Sequence, residues 1–370
     1  MTMLNVTATA SIMMTFATAY STGADVLLVP SEYPTIQSAI DTAVNGDTVL
    51  VSAGIYNEGI DFLGKQIIVE SEDGSDATTI DGLGLDVSIV KCVSGETDQA
   101  VFRGFRLYRG ISGTQDFTDS LYLGGGMYIN SSSPTVEDVV FDECRSGYGG
   151  GLYAIWSDSV IRDCVFRRCI ANSNSGAAQA FFNGVTFDGC EFIENWSSDY
   201  GGAVHAIQGY HVFNDCTFTR NGGPWYSDTI TYTDDGGAIS WFTYIDDSLD
   251  ELPRMTITNC VLIDNRSAQD GGGLWVKPGY DSVDITNTTI CDNMTFNVTG
   301  RYTDLGGNDI CICTGDFNGD GEVSGADLSV LLGYWGDCQD LDCAPDLNFD
   351  GVIDGVDLAS LLSAWGSCAP

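Results

Sequence analysis

Apolar and polar residues alternate in short runs along most of the chain, a period typical of β-strands. Strands are predicted over residues 47–51 and 65–69, each close to glycine or polar turn residues. One helix signal precedes them, because Pro34 suits a first helical turn and apolar residues recur on one helical face over residues 36–43. A short amphipathic helix ahead of many short strands is typical of the cap that covers the open end of a solenoid.

A pattern of two glycines followed by small and apolar residues recurs through the middle of the chain. The copies read GGGMYI, GGGLYA, SGAAQA, GGAVHA, GGAISW and GGGLWV, and they begin at Gly124, Gly149, Ser175, Gly201, Gly236 and Gly271. Successive copies begin 25, 26, 26, 35 and 35 residues apart. Repeats of this length predict a stacked, quasi-one-dimensional architecture.

A second motif lies between the glycine copies. It begins with a predicted strand that ends at Asp or Asn before a cysteine, and it continues with an aromatic residue two positions after the cysteine and an asparagine three positions after that. Stacking its copies gives columns of cysteine (Cys164, Cys190, Cys216, Cys260), of large apolar residues (Phe141, Phe166, Phe192, Phe218, Leu262) and of asparagine (Asn195, Asn221, Asn265, Asn293). In a parallel solenoid each strand pairs with its equivalent in the next coil, so like residues stack. The residue before each cysteine is Asp163, Gly189, Asp215 or Asn259, types that tolerate the positive φ of a tight corner.

The same alignment places charges of opposite sign on neighbouring coils, although charge was not used to set it. One such column is Arg103, Glu137, Arg162 and Asp188, and another is Arg109, Glu143, Arg168, Glu194 and Arg220, followed by Asp264 and Asp292. Alternating signs predict cross-strand ion pairs. These ladders remove most arginines from the catalytic candidates.

The chain resembles the pectin-lyase-like superfamily of right-handed parallel β-helices, through YPTIQSAIDTAVNGDTVLVSAGIYNE and the Cys/Asn coil repeats, over roughly residues 27–310. The resemblance implies an all-β solenoid over residues 25–310 with an N-terminal capping helix. The superfamily includes pectate lyases, polygalacturonases, other polysaccharide lyases, epimerases and members with no known reaction. It therefore implies a fold and leaves the activity open.

Two matching segments follow at a spacing of 30 residues, DFNGDGEVSGADLSVLLGYWG from Asp316 and DLNFDGVIDGVDLASLLSAWG from Asp346. Each places oxygen donors at loop positions 1, 3, 5, 7, 9 and 12 around a glycine at position 6, the pattern of a calcium loop. The predicted ligands are Asp316, Asn318, Asp320, Glu322, Ser324 and Asp327 in the first loop and Asp346, Asn348, Asp350, Val352, Asp354 and Asp357 in the second, with main-chain carbonyls at Glu322 and Val352. Two Ca²⁺ sites are therefore predicted. Each loop leads into a helix whose leucines and tryptophan are expected to share one face.

The duplicated segment resembles a type I dockerin with aspartate at position 12, which implies a small α-helical module over residues 311–370 that attaches to a cohesin-like or other cell-surface protein. Family members bind cohesin largely through positions 10 and 11, which here are Gly325-Ala326 and Gly355-Val356 rather than hydroxyl pairs. Four cysteines share the repeat and predict two disulfides of open connectivity: Cys313, Cys338, Cys343 and Cys368. The cysteine columns are expected to be free thiols, and Cys311 has no evident partner.

Composition narrows the partners and the compartment. With 52 acidic and 14 basic residues the net charge is −38, which argues against nucleic acid and anionic membrane surfaces. Thirteen cysteines suggest an oxidising compartment, and residues 1–24 resemble a secretory signal that lacks a basic start. No later run of 18 apolar residues predicts a membrane span, so a secreted or cell-surface protein is expected.

The glycine-motif strands present two outward columns, Tyr128, Tyr153, Gln179, His205, Ser240 and Trp275 in one and Asn130, Ile155, Phe181, Ile207, Phe242 and Lys277 in the other. Tyr128, Tyr153, Trp275 and Phe242 are the predicted sugar-stacking residues. In the alternative, the long inserts over residues 222–235 and 292–305 fold over this face and bury the aromatic rings.

Asp235 and Asp270 occupy one position of successive coils, just before the glycines. Carboxylates one strand spacing apart share a proton, bind a cation or point apart, which makes them candidates for a general acid–base pair or a calcium site. In the alternative, each caps the amides of its own turn. His205 and Lys277 are the other catalytic candidates. Two functions stay open: a secreted polysaccharide lyase or glycoside hydrolase, and a non-catalytic solenoid that binds carbohydrate or protein.

Overall fold

A computed structural model describes residues 23–112, 122–223, 233–244, 253–277, 282–294, 296–311, 315–317, 322–337, 345–347 and 351–367. The predictions for the signal segment, for Asn318, Asp320, Asn348 and Asp350, and for the four cysteines of the C-terminal repeat lie outside the described residues, apart from Gly23 and Ala24 of the signal segment.

The predicted capping helix is present as helix α1, Ile36–Thr42. It begins at the N-cap Thr35, whose hydroxyl accepts from the Ser38 amide, while the Ser38 hydroxyl accepts from the Thr35 amide. Pro34 therefore precedes the cap and does not lie in the first turn. Ile36, Ala39 and Ile40 are buried, and α1 packs on strands of the first coils, so it covers that end of the solenoid.

Short strands stack into three long parallel sheets. Sheet 1 consists of Val26–Val29, Thr48–Val51, Ile68–Ser71, Val101–Arg103, Thr135–Glu137, Val160–Arg162, Thr186–Asp188, Tyr210–Asn214, Arg254–Thr258, Val283–Thr286 and Thr303–Asp304. Sheet 2 consists of Gly54–Tyr56, Thr78–Asp81, Arg106–Tyr108, Val140–Asp142, Val165–Arg167, Glu191–Ile193, Thr217–Thr219, Val261–Ile263, Thr289–Cys291 and Asp309–Ile310.

Sheet 3 contains the glycine-motif strands. It consists of Ile60–Asp61, Val90–Cys92, Met127–Asn130, Leu152–Ser157, Ala178–Asn183, Val204–Ile207, Ile239–Phe242, Leu274–Val276 and Val298–Thr299. A short fourth sheet of Arg145–Ser146, Ile170–Ala171 and Trp196–Ser197 lies between sheets 2 and 3 in chain order. The chain therefore passes through sheets 1, 2 and 3 once per coil, which confirms the predicted parallel β-helix.

The predicted residue columns form the core. Phe141, Phe166, Phe192 and Phe218 stack face to face, with successive ring centroids 4.3, 5.0 and 4.4 Å apart. The asparagines form a hydrogen-bonded ladder, in which Asn195 Nδ2 donates to Asn221 Oδ1 and Asn221 Nδ2 donates to Asn265 Oδ1, both at 2.9 Å. The cysteine columns are buried free thiols, as expected. Like residues stack because each coil repeats the backbone path of the one before.

The corners of the coil adopt the predicted left-handed conformation. Asp163, Gly189, Asp215 and Asn259 have φ of 51, 64, 52 and 55°. The charged column that precedes the asparagines lies at a second such corner, since its members from Arg109 to Asp292 have φ between 52 and 57°. The sequence alignment did not predict this second corner, because Arg and Glu are not typical of positive φ.

Ion pairs confirm the charge ladders. Glu137 lies between Arg103 and Arg162, at 3.9 and 2.8 Å, and Arg220 pairs with Glu194 at 2.9 Å. At the last coils Cys291 and Cys311 form a disulfide. Cys311, for which the sequence offered no partner, therefore covalently joins the end of the solenoid to the preceding coil.

The C-terminal module contains two short helices, α2 (Gly325–Gly333) and α3 (Gly355–Ser363). Glu322–Val323 pairs antiparallel with Gly366–Ser367, and Gly336–Asp337 pairs antiparallel with Val352–Ile353. The short strand before each helix thus pairs with the short strand after the other helix. The two halves of the module are therefore related by an internal two-fold pattern. A small core unites its halves, formed by Val323, Leu331, Ile353 and Leu361.

The predicted apolar helix face is only partly buried. Leu331 and Leu361 are fully buried, but Leu332 and Leu362 are 52% and 51% exposed. Trp335 and Trp365 lie beyond the helix ends and are also about half exposed. Nine-residue helices present too few turns to bury all four predicted positions.

Candidate functional site

One column of residues precedes the glycine motif in six successive coils of sheet 3 and is called here the wall column. It consists of Leu123, Tyr148, Asn174, Tyr200, Asp235 and Asp270. The residue that follows each member donates its main-chain amide to the carbonyl oxygen of the next member. The first of these bonds joins Gly124 to Tyr148 and the last joins Gly236 to Asp270, with N–O distances of 2.9 to 3.0 Å throughout. The column is therefore continuous, and its side chains change from apolar and aromatic to acidic along the solenoid axis.

The glycines that follow the wall column are required by the backbone. Gly149 has φ of 60°, and a Cβ on Gly150 would lie 2.4 Å from the carbonyl oxygen of Gly176. The first position therefore favours a residue that tolerates left-handed φ, and the second has no space for a side chain. This explains the repeated Gly-Gly signal.

Strand pairing confirms the two predicted outward columns. Tyr128, Tyr153, Gln179, His205, Ser240 and Trp275 are successive register partners and are called the floor column. The second column, called the outer column, is paired in the same way and consists of Asn130, Ile155, Phe181, Ile207 and Phe242. Lys277 follows Phe242 in this column, and its main-chain amide donates to the carbonyl oxygen of Trp241. The wall, floor and outer columns run side by side along sheet 3.

A cleft of about 410 Å³ lies on this face. Its lining is mainly aromatic and consists of Leu123, Tyr148, Tyr153, Asn174, Gln179, Phe181, Tyr200, His205, Ile207, Phe242 and Tyr244. Among the residues that the structure describes, the lining has neither a carboxylate nor a basic side chain other than the imidazole of His205. Mostly apolar clefts with a few convergent polar groups are typical of small-ligand sites.

Tyr200 covers part of the floor column. Its ring stacks on the imidazole of His205, with centroids 5.4 Å apart and an interplanar angle of 19°, and it also contacts Trp275 with centroids 5.6 Å apart. Burial raises the pKa of the Tyr200 hydroxyl, and the negative charges of Asp235, Asp199 and Asp234 raise it further. Tyr200 thus connects the aromatic cleft to the acidic part of the wall column.

His205 is buried and uncharged at neutral pH. Its Nδ1 lies 2.5 Å from the hydroxyl oxygen of Ser240, and burial lowers the pKa of the imidazole to about 3. A group with so low a pKa is a weak base near pH 7. These features make His205 better suited to hydrogen bonding than to proton transfer.

Asp235 and Asp270 are bridge partners on successive coils, as the alignment predicted. Both carboxyl groups are half-buried and lie on the wall column beyond Tyr200, outside the cleft lining. Burial raises the pKa of Asp270, and its carboxylate accepts no hydrogen bond from the part of the chain that the structure describes. The expected alternative, in which Asp270 caps the amides of its own glycine turn, is absent from the described contacts.

Lys277 stands at the end of the outer column. Its Nζ lies 3.6 Å from the ring centroid of Phe242 and 5.2 Å from that of Tyr244. Burial lowers the pKa of its ammonium group. The cation therefore lies against two residues that line the cleft.

Only two of the four predicted sugar-stacking residues line the cleft. Tyr153 and Phe242 line the cleft. Tyr128 accepts a hydrogen bond from Asn130 Nδ2 outside the lining. Trp275 is only 8% exposed, and the rings of Tyr200 and Phe242 pack against it. Some rings of this face are thus covered and others open into a cleft, but the covering ring of Tyr200 belongs to neither long insert, and residues 224–232 of the first insert lie outside the described residues.

Sequence reasoning did not select Tyr148, Tyr200, Tyr244 or Gln179 as binding residues. Tyr148 and Tyr200 directly precede their copies of the glycine motif, as Asp235 and Asp270 do, so the same alignment could have found them. Tyr244 has no such signal, because it follows a strand end and lies beside an insert.

The C-terminal loops bring the described ligand candidates together around buried carboxylates. Asp327 Oδ1 and Oδ2 accept from the amides of Phe317 and Ser324, each at 2.8 Å, and Asp357 accepts in the same way from Leu347 and Asp354. Ser324 and Asp354 are also the N-caps of α2 and α3. The two loops are therefore equivalent in structure as well as in sequence.

The donor set fits calcium. Asp316, Asp327, Asp346 and Asp357 are all buried, and residues 311–370 contain no lysine, arginine or histidine. Buried carboxylates in a segment that has no basic residue favour a bound cation, and oxygen donors are the ligands that Ca²⁺ prefers. Bound calcium would neutralise these carboxylates and hold each loop against its helix.

Two family profiles match the chain. The right handed beta helix region profile matches residues 125–310, which is half of the sequence. The chain belongs to the right-handed β-helix family. The dockerin type I domain profile matches residues 314–363, so this β-helix protein has a C-terminal type I dockerin module, a calcium-binding type of domain.

Solved structures with the same fold resemble this β-helix protein at low identity. A pectate lyase, Pel9A, is 15% identical, with 77% of this chain and 80% of that chain covered and a TM-score of 0.45. A pectin methylesterase in complex with a hexasaccharide is 13% identical, with 78% and 94% covered and a TM-score of 0.43. The pectin methylesterase PemA from Erwinia chrysanthemi is 14% identical, with 76% and 82% covered and a TM-score of 0.42.

No curated protein sequence matches this β-helix protein. In the described part of the chain, no helix has the length and apolar character to cross a membrane.

Proposed function

We propose that this chain is an extracellular polysaccharide-degrading β-helix that holds a saccharide chain in the sheet 3 cleft and is attached to a partner protein by its dockerin module. The wall column carries the proposal, because it leads from Tyr148, Asn174 and Tyr200 in the cleft to Asp235 and Asp270. A linear polymer lying along the solenoid axis would meet the aromatic rings first and the carboxyl pair next.

The cleft lining suits a sugar. Pyranose rings have apolar C–H faces that stack on aromatic rings and hydroxyl groups that exchange hydrogen bonds with neutral polar side chains. Tyr148, Tyr153, Phe181 and Phe242 supply rings, while Asn174 and Gln179 supply amides.

The two carboxyl groups suit acid–base chemistry. Burial raises the pKa of Asp270, which favours its protonated form and a role as general acid. Asp235 would be the second carboxylate, acting as base or nucleophile in hydrolysis. In an elimination reaction Lys277 would be the candidate base, since its lowered pKa favours the neutral amine.

The direct test is product release from a panel of soluble polysaccharides by the full chain with calcium. Asp270→Asn should lower the rate at least about a hundredfold, as expected for loss of a general acid. Asp264→Asn, an exposed carboxylate on a solenoid corner, is the matched control and should leave the rate unchanged. Unsaturated product would mark elimination, and saturated reducing ends would mark hydrolysis.

A specific observation favours a second candidate, a binding protein without catalysis. The described residues of the cleft lining include no carboxylate, and its histidine is neutral and hydrogen-bonded to Ser240. This candidate predicts saccharide binding with no product from the wild-type chain and no change in affinity in Asp270→Asn.

Attachment is proposed to depend on two calcium ions and a cohesin-like partner. Val356, at position 11 of the second loop, is 53% exposed and would contribute apolar contact area to such a partner. Purified type I cohesin should bind the full chain with calcium and lose it with a chelator. Val356→Asp should weaken binding, whereas binding without calcium would contradict the proposal.

A further inference from the structure

The floor of the cleft contains a hydrogen-bond acceptor that is not satisfied. Gln179 is 3% exposed and lines the cleft between its register partners Tyr153 and His205. Its amide oxygen is buried and has no hydrogen-bond partner among the described residues. Buried polar groups in folded proteins nearly always have a partner, so an orphaned acceptor on a residue that lines a cleft indicates a donor supplied by a ligand.

The charges around the cleft do not favour an acidic ligand. No lysine or arginine is among the described residues of the lining, and burial keeps the imidazole of His205 neutral. Lys277 is the neighbouring cation in the described residues, and its Nζ lies against the ring of Phe242. On the other side the wall column continues into Asp235 and Asp270. A polymer of uronates would bring carboxylates close to two acidic side chains and into a neutral cleft.

We infer that the cleft takes a neutral saccharide and that the amide oxygen of Gln179 accepts a hydrogen bond from one of its hydroxyl groups. The inference rests on the proposed function, because it names the class of sugar that the same cleft holds. A carboxylate could not satisfy the Gln179 oxygen, since both groups are acceptors. A hydroxyl group can donate to Gln179 and at the same time accept from a neighbouring donor.

The test compares two kinds of probe by isothermal titration calorimetry on the full chain with calcium. The neutral probes are xylohexaose, cellohexaose and mannohexaose, and the acidic probes are hexagalacturonate and hexamannuronate. At least one neutral probe should bind about tenfold more tightly than either acidic probe. Gln179→Leu should weaken that neutral probe about two- to tenfold, the usual value of one hydrogen bond. Gln99→Leu, an exposed glutamine outside the cleft, should not change it.

Thermal unfolding separates a binding role from a structural role. Because the Gln179 oxygen is orphaned in the free protein, Gln179→Leu should leave Tm unchanged or raise it while affinity falls. A lower Tm together with unchanged affinity would overturn the role of Gln179. Tighter binding of an acidic probe would overturn the neutral class and leave the proposed function standing. If neither kind of probe binds, the proposed function and the inference both fail.

Discussion

Nδ1 of His205 lies 2.5 Å from the hydroxyl oxygen of Ser240, the residue that pairs with it on the next coil. This contact ties together two strands of the cleft floor, and the ring of Tyr200 covers it. The imidazole of His205 is therefore held neutral, whereas the pKa of an exposed histidine is about 6.5.

The low pKa of His205 predicts a specific pH dependence of stability. The folded pKa is about 3 and the unfolded value is about 6.5, so the unfolded chain binds more protons between these values. Stability from this group is therefore complete above pH 6.5 and falls as the pH drops toward 3. When the pH is lowered from 7 to 5, the free energy of unfolding should fall in both proteins, and it should fall by about 2 kcal/mol less in His205→Gln than in the wild-type protein.

Urea unfolding at the two pH values with calcium held fixed measures this difference. His211, which is also buried and has a pKa lowered to about 4, contributes equally to both proteins and does not confound the comparison. Equal losses in the two proteins would show that His205 titrates normally.

Asp142 pairs with three arginines, two on sheet 2 and one at the corner that follows it. Its side chain is fully buried and accepts from Arg106 and Arg167 at Oδ2 and from Arg168 at Oδ1. Burial alone would raise its pKa, but the hydrogen bonds and charges of the arginines more than offset this, and the net pKa is lowered.

Asp142→Asn should therefore reduce the free energy of unfolding by about 3 kcal/mol, because removing one partner of a buried ion pair is costly. Glu143→Gln, which alters a neighbouring partly exposed pair with Arg168, should change it by at most about 1 kcal/mol. Chemical denaturation above pH 5 checks both values, since the Asp142 contribution is lost only below its unfolded pKa. Equal effects of the two variants would contradict a special role for Asp142.

The two calcium loops should differ in affinity. Position 9 is Ser324 in the first loop and Asp354 in the second, and an added carboxylate strengthens Ca²⁺ binding. Calorimetry should resolve two sites, and Asp354→Ser should weaken the tighter one. Ser324→Asp should strengthen the weaker one, and a single class of site would contradict the account.

Repetition explains how much of the fold could be predicted. Cysteine, phenylalanine and asparagine recur at one place in each coil, so the sequence alone places Cys190 and Asn221 in the core. Cys311 could not be paired with Cys291, because the last coil departs from the repeat length.

The candidate site was harder to predict because it depends on what covers the sheet. The floor column was visible in the sequence, but His205 and Trp275 are packed against by Tyr200 and Phe242, which belong to other columns. The orphaned oxygen of Gln179 likewise depends on three-dimensional surroundings that periodicity does not describe.

The measurement that tests the central claim most directly is the affinity of the wild-type chain and of Tyr200→Ala for the oligosaccharide that binds best. Tyr200 lines the cleft and lies next to the acidic part of the wall column, so its loss should weaken binding at least about tenfold if an aromatic ring stacks on the sugar. Tyr210→Ala, a half-exposed tyrosine on sheet 1, should bind like the wild-type protein. Equal affinity in Tyr200→Ala and the wild-type protein would contradict a saccharide site in this cleft.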